Sequence, residues 1–418
     1  MISRDPRMDR CANPASAAIW TAVVALVVAY GVSYFLTHLG LGMIPSGDGS
    51  ARGPAVLSRA GLNLCAMQHA TLIGEGRIPG GPAGPQKVSA YIVLPITIWV
   101  VIPMFALLVG GYVGAARRSG AGSFGAIAPA VFGGILYAGA LAALSQFFSA
   151  YVEGSPLPAI EGSSLSPPYI PFRATVASTL VFAGLLGVVF TYLGALVTRT
   201  GRPTYGAGRW WACAKSTVVC ALAVQILIAA GAGAWYASGY AQPEAGAVRG
   251  KRFSEMLPTM SAVGYALIQG ATLRAGIETR MPGSDTTYRP LDESINLYRG
   301  VSRQDDEREY HRPIPKAAYL LLIVPAFAVF LAGRLGVRWG ARGGSLPTAA
   351  RIVVIHTAYV LVLMLLSSVG WGEHHTNYAA FIAPSYDILM LISAAVVFVL
   401  AFAGAAMAGR GRAASGAF

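Results

Sequence analysis

Residues 97–126 read TIWVVIPMFALLVGGYVGAARRSGAGSFGA, an apolar run followed by two arginines and a glycine-rich turn. A similar stretch, YLLLIVPAFAVFLAGRLGVRWGARGGSLPT, returns 222 positions later as residues 319–348. From Ile102 to Ser123 the two stretches share 7 residues in 22 columns without a gap. We interpret this as the internal duplication of a membrane span and of the turn after it. The matched residues are Pro103/Pro325, Phe105/Phe327, Ala106/Ala328, Gly111/Gly333, Gly114/Gly336, Gly122/Gly344 and Ser123/Ser345.

The composition is that of a membrane protein. Of 418 residues, 55% are hydrophobic and only 12% are charged, which is far from an ordinary soluble composition. A bilayer core about 30 Å thick needs roughly 20 apolar residues per helix. The sequence therefore predicts an all-α polytopic membrane protein with eight transmembrane helices. Their windows are about 17–40, 90–115, 124–151, 174–198, 210–237, 317–337, 351–370 and 385–408.

The charge is distributed unevenly between alternate connecting segments. With the N-terminus in the cytoplasm, the inner segments hold 15 of the 31 Lys and Arg residues and only two acidic residues, Asp5 and Asp9. The outer segments hold 16 basic and 16 acidic residues, so the net charge of +13 lies on the inner side. This positive-inside pattern predicts a multi-pass protein of the cytoplasmic (inner or plasma) membrane with both termini cytoplasmic. A nucleic-acid partner is not expected.

Both halves of the chain follow one plan: span, outer helix, span, basic turn, span, outer loop, span. Four spans is an even number, so the two repeats are predicted to be parallel and related by an axis along the membrane normal. The alternative is eight unrelated spans of similar composition. The predicted parts are a cytoplasmic N-terminus at 1–16, a first four-helix repeat at 17–198 with an outer loop at 44–88, a cytoplasmic linker at 199–209, a second four-helix repeat at 210–410 with an outer cap at 238–316, and a cytoplasmic tail at 411–418.

The outer segments are predicted to be extracytoplasmic helical loops. Within them, Ser58–Gly74 aligns with Ser254–Gly270 at an offset of 196, which matches a serine, two alanines and a glycine. The rest of the second outer segment, roughly 281–314, is polar and charged and is predicted to form a small cap.

Pro103 and Pro325 occupy matched positions in the second and sixth spans. A proline inside a helix removes a hydrogen bond and kinks the helix. Paired kinks indicate a path between the two repeats, whereas a bend that only serves packing is the alternative. The nearby Gly111 and Gly114, like their counterparts in the second copy, predict close helix contacts because small residues let helices approach in lipid.

Ionisable groups at membrane depth are functional candidates because burying them is costly. His356 lies in the seventh span opposite Gly134 of the first copy, so it could line a polar cavity or simply bond to a neighbouring carbonyl. Arg173 and Asp387 each stand just after a proline, at the outer entry of the last span of their half, 214 positions apart. They could pair or gate the outer mouth, or they could reach the headgroups and cap a helix.

Two outer clusters contain metal-ligating residue types. Glu373, His374 and His375 lie at the outer end of the seventh span and are candidates for a metal site, with a solvated membrane-edge loop as the alternative. Cys65, Met67 and His69 offer soft ligands suited to copper, but residues at this spacing diverge around a helix. No metal and no cofactor are predicted.

The chain contains none of the common phosphate-loop, zinc-protease or nucleophile-elbow motifs, so it is not predicted to be an enzyme. The leading hypothesis is a transporter or permease-like protein with a path between the repeats, suited to lipidic or amphipathic solutes. The predicted path and gate residues are Pro103, Pro325, Arg173, Asp387 and His356. The alternative is a non-catalytic membrane subunit, sensor or scaffold that binds an envelope partner through its outer loops. Expected partners are the lipid bilayer, other membrane or envelope proteins, and a separate ATPase.

Overall fold

The computed structural model of this chain shows two compact units. Unit 1 comprises Met1–Arg202 and Trp371–Tyr378, and unit 2 comprises Pro203–Gly370 and Ala379–Phe418. The structure describes residues 13–41, 43–44, 54–78, 86–95, 97–118, 123–151, 171–197, 207–239, 246–280, 287–305, 308–316, 319, 322–340, 344–373 and 378–415.

Unit 1 contains five helices, among the residues described. The first follows Asn13, whose side chain accepts a hydrogen bond from the backbone N–H of Ala15 at 3.1 Å, with a proline at its first position. The helix that carries the first copy of the motif starts at Val101, directly after a 3₁₀ turn at Ile98–Val100. The helices are α1 (Pro14–His38), α2 (Pro54–Met67), α3 (Val101–Ala116), α4 (Ser123–Leu144) and α5 (Val176–Val197).

Unit 2 repeats this order of elements. A long apolar helix is followed by an outer helix, a group of strands, and then three further helices with strands before the last one. Its helices are α6 (Ala207–Gly239), α7 (Gly246–Ile268), α8 (Ile323–Arg338), α9 (Ser345–Ser367) and α10 (Ile388–Ser415).

Seven helices of the described chain are long and apolar enough to cross a membrane, which is the architecture of a multi-pass integral membrane protein. They are α1, α3 together with its 3₁₀ turn, α4, α5, α6, α9 and α10. The remaining predicted span, 317–337, contains α8, which has 16 residues. Its counterpart α3 also has 16 residues and reaches the length of a span only with the turn before it.

The all-α prediction is wrong for the outer segments, which contain β-strands. In unit 1, neighbouring strands follow the order β3-β4-β1-β2, and in unit 2 the order β10-β5-β6-β7-β8. The strands are β1 (Leu72–Ile78), β2 (Gln86–Val93), β3 (Ala150–Tyr151), β4 (Pro171–Ala174), β5 (Thr272–Arg280), β6 (Thr287–Asn296), β7 (Gly300–Asp305), β8 (Arg308–Arg312), β9 (Val369–Glu373) and β10 (Tyr378–Ser385). We call the end of each helix bundle that carries these strands the strand end, and the opposite end the turn end.

Six helix pairs in unit 1 have counterparts in unit 2. In unit 1, α1 packs on α2, α3 and α4, while α3 packs on α4 and α5, and α4 packs on α5. In unit 2, α6 packs on α7, α8 and α9, while α8 packs on α9 and α10, and α9 packs on α10. The two units therefore share one arrangement of helices as well as one order of elements.

Matched glycines form the closest of these contacts. A Cβ at Gly111 would overlap the backbone of Thr191 on α5, and a Cβ at Gly333 would overlap the backbone of Ala401 on α10. Gly114 faces the Thr21 hydroxyl of α1 in the same way as Gly336 faces the Ser216 hydroxyl of α6. The glycines of the motif thus serve close helix packing.

The outer helices α2 and α7 end inside their bundles. On α2, Cys65 is fully buried, and the next two turns of chain pack among α1, α3, α4 and α5. On α7, Tyr265 and Ala266 are buried against α6 and α9. Each outer segment therefore enters its bundle as a helix and leaves it as a strand, β1 or β5.

Candidate functional site

A cavity of about 520 Å³ lies in unit 2, where the end of α7 meets α9 and the first turns of α10. Its walls are mostly apolar and include Leu391, which is 72% exposed, so one side of the cavity is open to the surroundings of the bundle. Polar side chains line the rest of it. The apolar lining residues are Val360, Leu361, Ile388, Met390, Leu391 and Ala394, and the polar ones are Gln269, His356, Thr357, Tyr386, Asp387 and Ser393.

Gln269 reaches this cavity because α7 ends in a Schellman turn. The N–H of Gly270 donates to the carbonyl of Leu267, and the N–H of Ala271 donates to the carbonyl of Ala266, both at 3.0 Å. Gly270 has a φ of +89°, and a Cβ there would lie 2.8 Å from the backbone of Leu389. The turn holds Gln269 against α10, where its Oε1 accepts a hydrogen bond from the Ser393 hydroxyl at 2.6 Å.

His356 stands at the middle of α9, eleven residues from either end of that helix, and is 4% exposed. Its Nε2 lies 2.9 Å from the hydroxyl of Tyr265 on α7. The Tyr265 ring packs edge-on against Tyr359, whose hydroxyl donates to Oε1 of Gln225 on α6 at 2.8 Å. A chain of polar side chains therefore crosses the interior of unit 2 from α6 to the cavity.

Asp387 lies at the strand end of the cavity, just before α10. Its Oδ1 accepts the N–H of Leu389 at 3.2 Å, and its Oδ2 accepts the hydroxyl of Thr272 at 3.1 Å. Arg299 completes an ion pair with Oδ1 at 3.2 Å; its side chain is 61% exposed, whereas that of Asp387 is 10% exposed. Asp387 thus caps the helix and ties it to β5, while it also places a carboxylate beside the cavity.

The same turn ends α2 in unit 1. Gln68 stands before His69, which has a φ of +64°, and the N–H of Ala70 donates to the carbonyl of Cys65 at 3.1 Å. Gln68 is fully buried and donates through Nε2 to the Tyr137 hydroxyl at 2.8 Å. Sequence reasoning missed both glutamines, although the pentapeptides QHATL (68–72) and QGATL (269–273) are a clear signal at an offset of 201 rather than 196.

The counterpart of His356 has a different role. At Gly134 the backbones of α4 and α5 are so close that a Cβ would overlap the carbonyl oxygen of Gly187. Unit 1 therefore closes the helix pair at the position where unit 2 holds a buried histidine.

Arg173 does not line this cavity; it lies on β4 of unit 1. It is exposed, pairs in register with Ile73 of β1, and lines a separate pocket of about 350 Å³ together with Glu75 and Gln146. Packing also changes its expected counterpart. The glycine contacts place Ala401 at the position of Thr191, an offset of 210, so Arg173 corresponds to Ala383 rather than to Asp387.

Pro103 and Pro325 are buried, and each is the third residue of its helix. In the first turn an N–H has no partner within the helix, so a proline there costs no hydrogen bond. The predicted position at least two turns inside each helix is therefore wrong, because both prolines lie in the first turn of α3 or α8.

The two candidate metal clusters fare differently. His374 and His375 lie outside the described residues, and of Glu373 only its place at the end of β9 is described. Within the part of the chain that the structure describes, no three His, Cys, Asp or Glu side chains come together as metal ligands would. Burial raises the pKa of the Cys65 thiol to about 12, and Nδ1 of His69 lies 2.9 Å from the carbonyl of Leu94, so these two residues engage different surroundings.

Fold and cavity together define a multi-pass integral membrane protein whose second helix bundle holds a mostly apolar cavity with several polar side chains in its lining. Comparison with known proteins finds no matching family model, no matching curated protein and no matching solved structure.

Proposed function

We propose that the chain is an eight-span protein of the cytoplasmic membrane, built from two parallel four-helix repeats with both termini cytoplasmic. Support comes from the shared element order, the six shared helix pairs and the matched glycine contacts. In this proposal α8 is a membrane span in addition to the seven long apolar helices, because it occupies the place of α3 and has the same length of 16 residues. The orientation rests on the charge pattern of the sequence.

We further propose that the protein is transporter-like and handles a lipidic or amphipathic solute. The observation that carries this proposal is the cavity of about 520 Å³ in unit 2. Its volume is typical of a site for a small molecule. In a bilayer the exposed Ile388 and Leu391 on α10 would face acyl chains, so a solute could enter sideways from the membrane.

The chemistry of the lining favours a molecule with a long apolar part and a compact polar head. The apolar part would lie against the apolar side chains of Val360, Leu361 and Leu391, because apolar surface is more stable in contact with apolar groups than with water. The head would form hydrogen bonds with Gln269 and Ser393, which line the same cavity as the carboxylate of Asp387. A highly charged solute has less support, because the cavity offers one carboxylate already paired with Arg299.

A photoreactive long-chain amino alcohol tests this proposal in proteoliposomes. We expect crosslinks to α9 and α10, and faster exchange of the probe between leaflets than in protein-free liposomes. Leu391→Trp would fill the cavity and reduce labelling, whereas Val399→Trp, at an exposed position of the same helix outside the lining, would not. Equal labelling of both variants would refute the cavity as the site.

A second candidate is the membrane subunit, sensor or scaffold with an envelope partner. The segment that contains strands β5–β8 of unit 2 favours it, because it presents Tyr298, in the turn between β6 and β7, and Tyr310 on β8, which are 39% and 53% exposed. Crosslinking of the probe without any exchange between leaflets would support this candidate over transport. The path between the repeats and the separate ATPase stay predictions, and neither candidate assigns a catalytic residue.

A further inference from the structure

A second cavity, of about 610 Å³, lies at the turn end of unit 1 between α1 and α4. Its lining comes from the first turns of α1, including Ala15 and Ile19, and from α4, including Phe132 and Leu136. Every lining residue is apolar except Arg118, which follows the end of α3. We call this cavity the α1–α4 groove.

Unit 2 shows what fills the corresponding place there. The contacts of Gly114 and Gly336 match Thr21 with Ser216, an offset of 195 between α1 and α6. At that offset Ala15 corresponds to Trp210, and at the offset of 222 Pro129 corresponds to Arg351. The Arg351 guanidinium lies 5.8 Å from the centre of the Trp210 ring, so two large side chains stand where unit 1 has an alanine and a proline.

The groove faces the surroundings of the bundle. Ile19 is 54% exposed and Phe132 is 62% exposed, so in a bilayer acyl chains lie directly against them. The groove is apolar along its length, with one cation at the end of the helices where the sequence places its excess of basic residues. Arginine binds phosphate oxygens in a fork geometry, and basic pockets between membrane helices favour anionic headgroups.

We propose that the α1–α4 groove binds one anionic phospholipid from the bilayer, with an acyl chain in the groove and its phosphate on Arg118. The occupant is a membrane lipid rather than a free anion, because all the lining except Arg118 is apolar. The neighbouring Arg117 makes a different contact, since its guanidinium stacks 4.2 Å from the centre of the Trp20 ring. The proposal is independent of the solute cavity in unit 2.

Native mass spectrometry of the whole protein tests the proposal, after exchange into nanodiscs of phosphatidylcholine with or without phosphatidylglycerol. We expect one retained phosphatidylglycerol per chain. Arg118→Gln should weaken its retention about tenfold, the equivalent of one lost charge-assisted hydrogen bond. Ala15→Trp, which copies unit 2, should abolish retention by filling the groove.

Two further variants keep the test decisive. Arg117→Gln removes the same charge from the same turn, but Arg117 does not line the groove. This variant should therefore retain phosphatidylglycerol within about twofold of the unmodified protein, in contrast to the tenfold loss expected for Arg118→Gln. Equal losses for the two arginine variants would mean diffuse charge attraction and overturn the proposal. Ile19→Trp narrows the groove from its exposed side and replaces Ala15→Trp if that variant does not fold. Undiminished retention in a folded tryptophan variant would also overturn it.

Discussion

The hydroxyl of Tyr265 and Nε2 of His356 lie 2.9 Å apart in the interior of unit 2, where the two residues are 2% and 4% exposed. One residue comes from the outer helix α7 and the other from the middle of α9, so this bond joins a segment that enters from the strand end to a span. A buried polar group is costly without its partner, so the two side chains depend on each other.

We predict strong coupling between these two residues. Tyr265→Phe should lower the free energy of unfolding by about 1–3 kcal/mol, because it leaves the buried imidazole without its partner. His356→Ala should cost a similar amount, and the double variant should cost clearly less than the sum. Thermal unfolding in detergent with a double-mutant cycle measures this. Additive losses would show that the bond does not stabilise the fold.

The turn after α7 should tolerate only glycine. In Gly270→Ala the alanine has to adopt a backbone φ of +89°, and its Cβ approaches the Leu389 backbone to 2.8 Å. We therefore expect the free energy of unfolding to fall by about 2 kcal/mol or more. Gly340→Ala is the matched control: its φ is +114°, but nothing lies within 4 Å of the added Cβ. The difference in melting temperature between the two variants isolates the steric clash, and equal losses would rule the clash out.

Asp387 should matter as a helix cap more than as an ion-pair partner. We expect Asp387→Ala to cost about 1–2 kcal/mol through loss of the cap and of the bond to Thr272. Asp387→Asn keeps an oxygen that can cap the helix, and the partner Arg299 is 61% exposed, so this variant should cost less than about 1 kcal/mol. Unfolding experiments at low and high salt would distinguish these roles. An asparagine variant as unstable as the alanine variant would make the ion pair dominant.

The Cys65 thiol should be inert in the folded protein. Burial raises its pKa from 9.0 to about 12, so the thiol remains protonated near neutral pH and offers no thiolate to a maleimide. The unfolded chain releases this proton at lower pH than the folded chain. Its contribution to stability is therefore complete below pH 9 and is lost between pH 9 and about 12. Mass mapping of labelled cysteines, with Cys65→Ala as the control for the pH profile, checks both statements; rapid labelling of the native protein would contradict them.

The helices could be placed from the sequence because long apolar windows leave few other choices. The window 90–115 still began too early, since Gln86–Val93 forms β2 and α3 starts only at Val101. The strands of the outer segments escaped notice because many of their residues are polar, so the alternation of a half-buried strand is weak in them.

The site was harder to see for two physical reasons. Attention to charge selected Arg173 and Asp387, whereas the uncharged Gln68 and Gln269 lie at the ends of the buried outer helices. Connections of unequal length also shift the offset between the units, from 195 at α1 and α6 to 201 at the turns, 222 at α3 and α8, and 210 at α5 and α10. The offsets used in the sequence comparison, 196 for the outer helices and 214 for Arg173 and Asp387, therefore missed the paired pentapeptides and the counterpart of Arg173.

The last prediction tests the duplication itself. In unit 1 Arg117 stacks on Trp20 at 4.2 Å, and in unit 2 Lys215 stacks on Trp339 at 4.9 Å. Trp339 corresponds to Arg117 and Lys215 to Trp20, so cation and ring have exchanged helices.

Arg117→Trp alone would leave two tryptophans without a cation, and Trp20→Lys alone would bring two cations together. We expect each single variant to lose about 0.5–1 kcal/mol, the usual strength of an exposed cation–π contact. The double variant, which copies unit 2, should recover most of that loss because it restores a cation over a ring. The melting temperatures of the three variants test this prediction. If the double variant loses as much stability as the two single variants together, the two cation–π pairs do not occupy equivalent places.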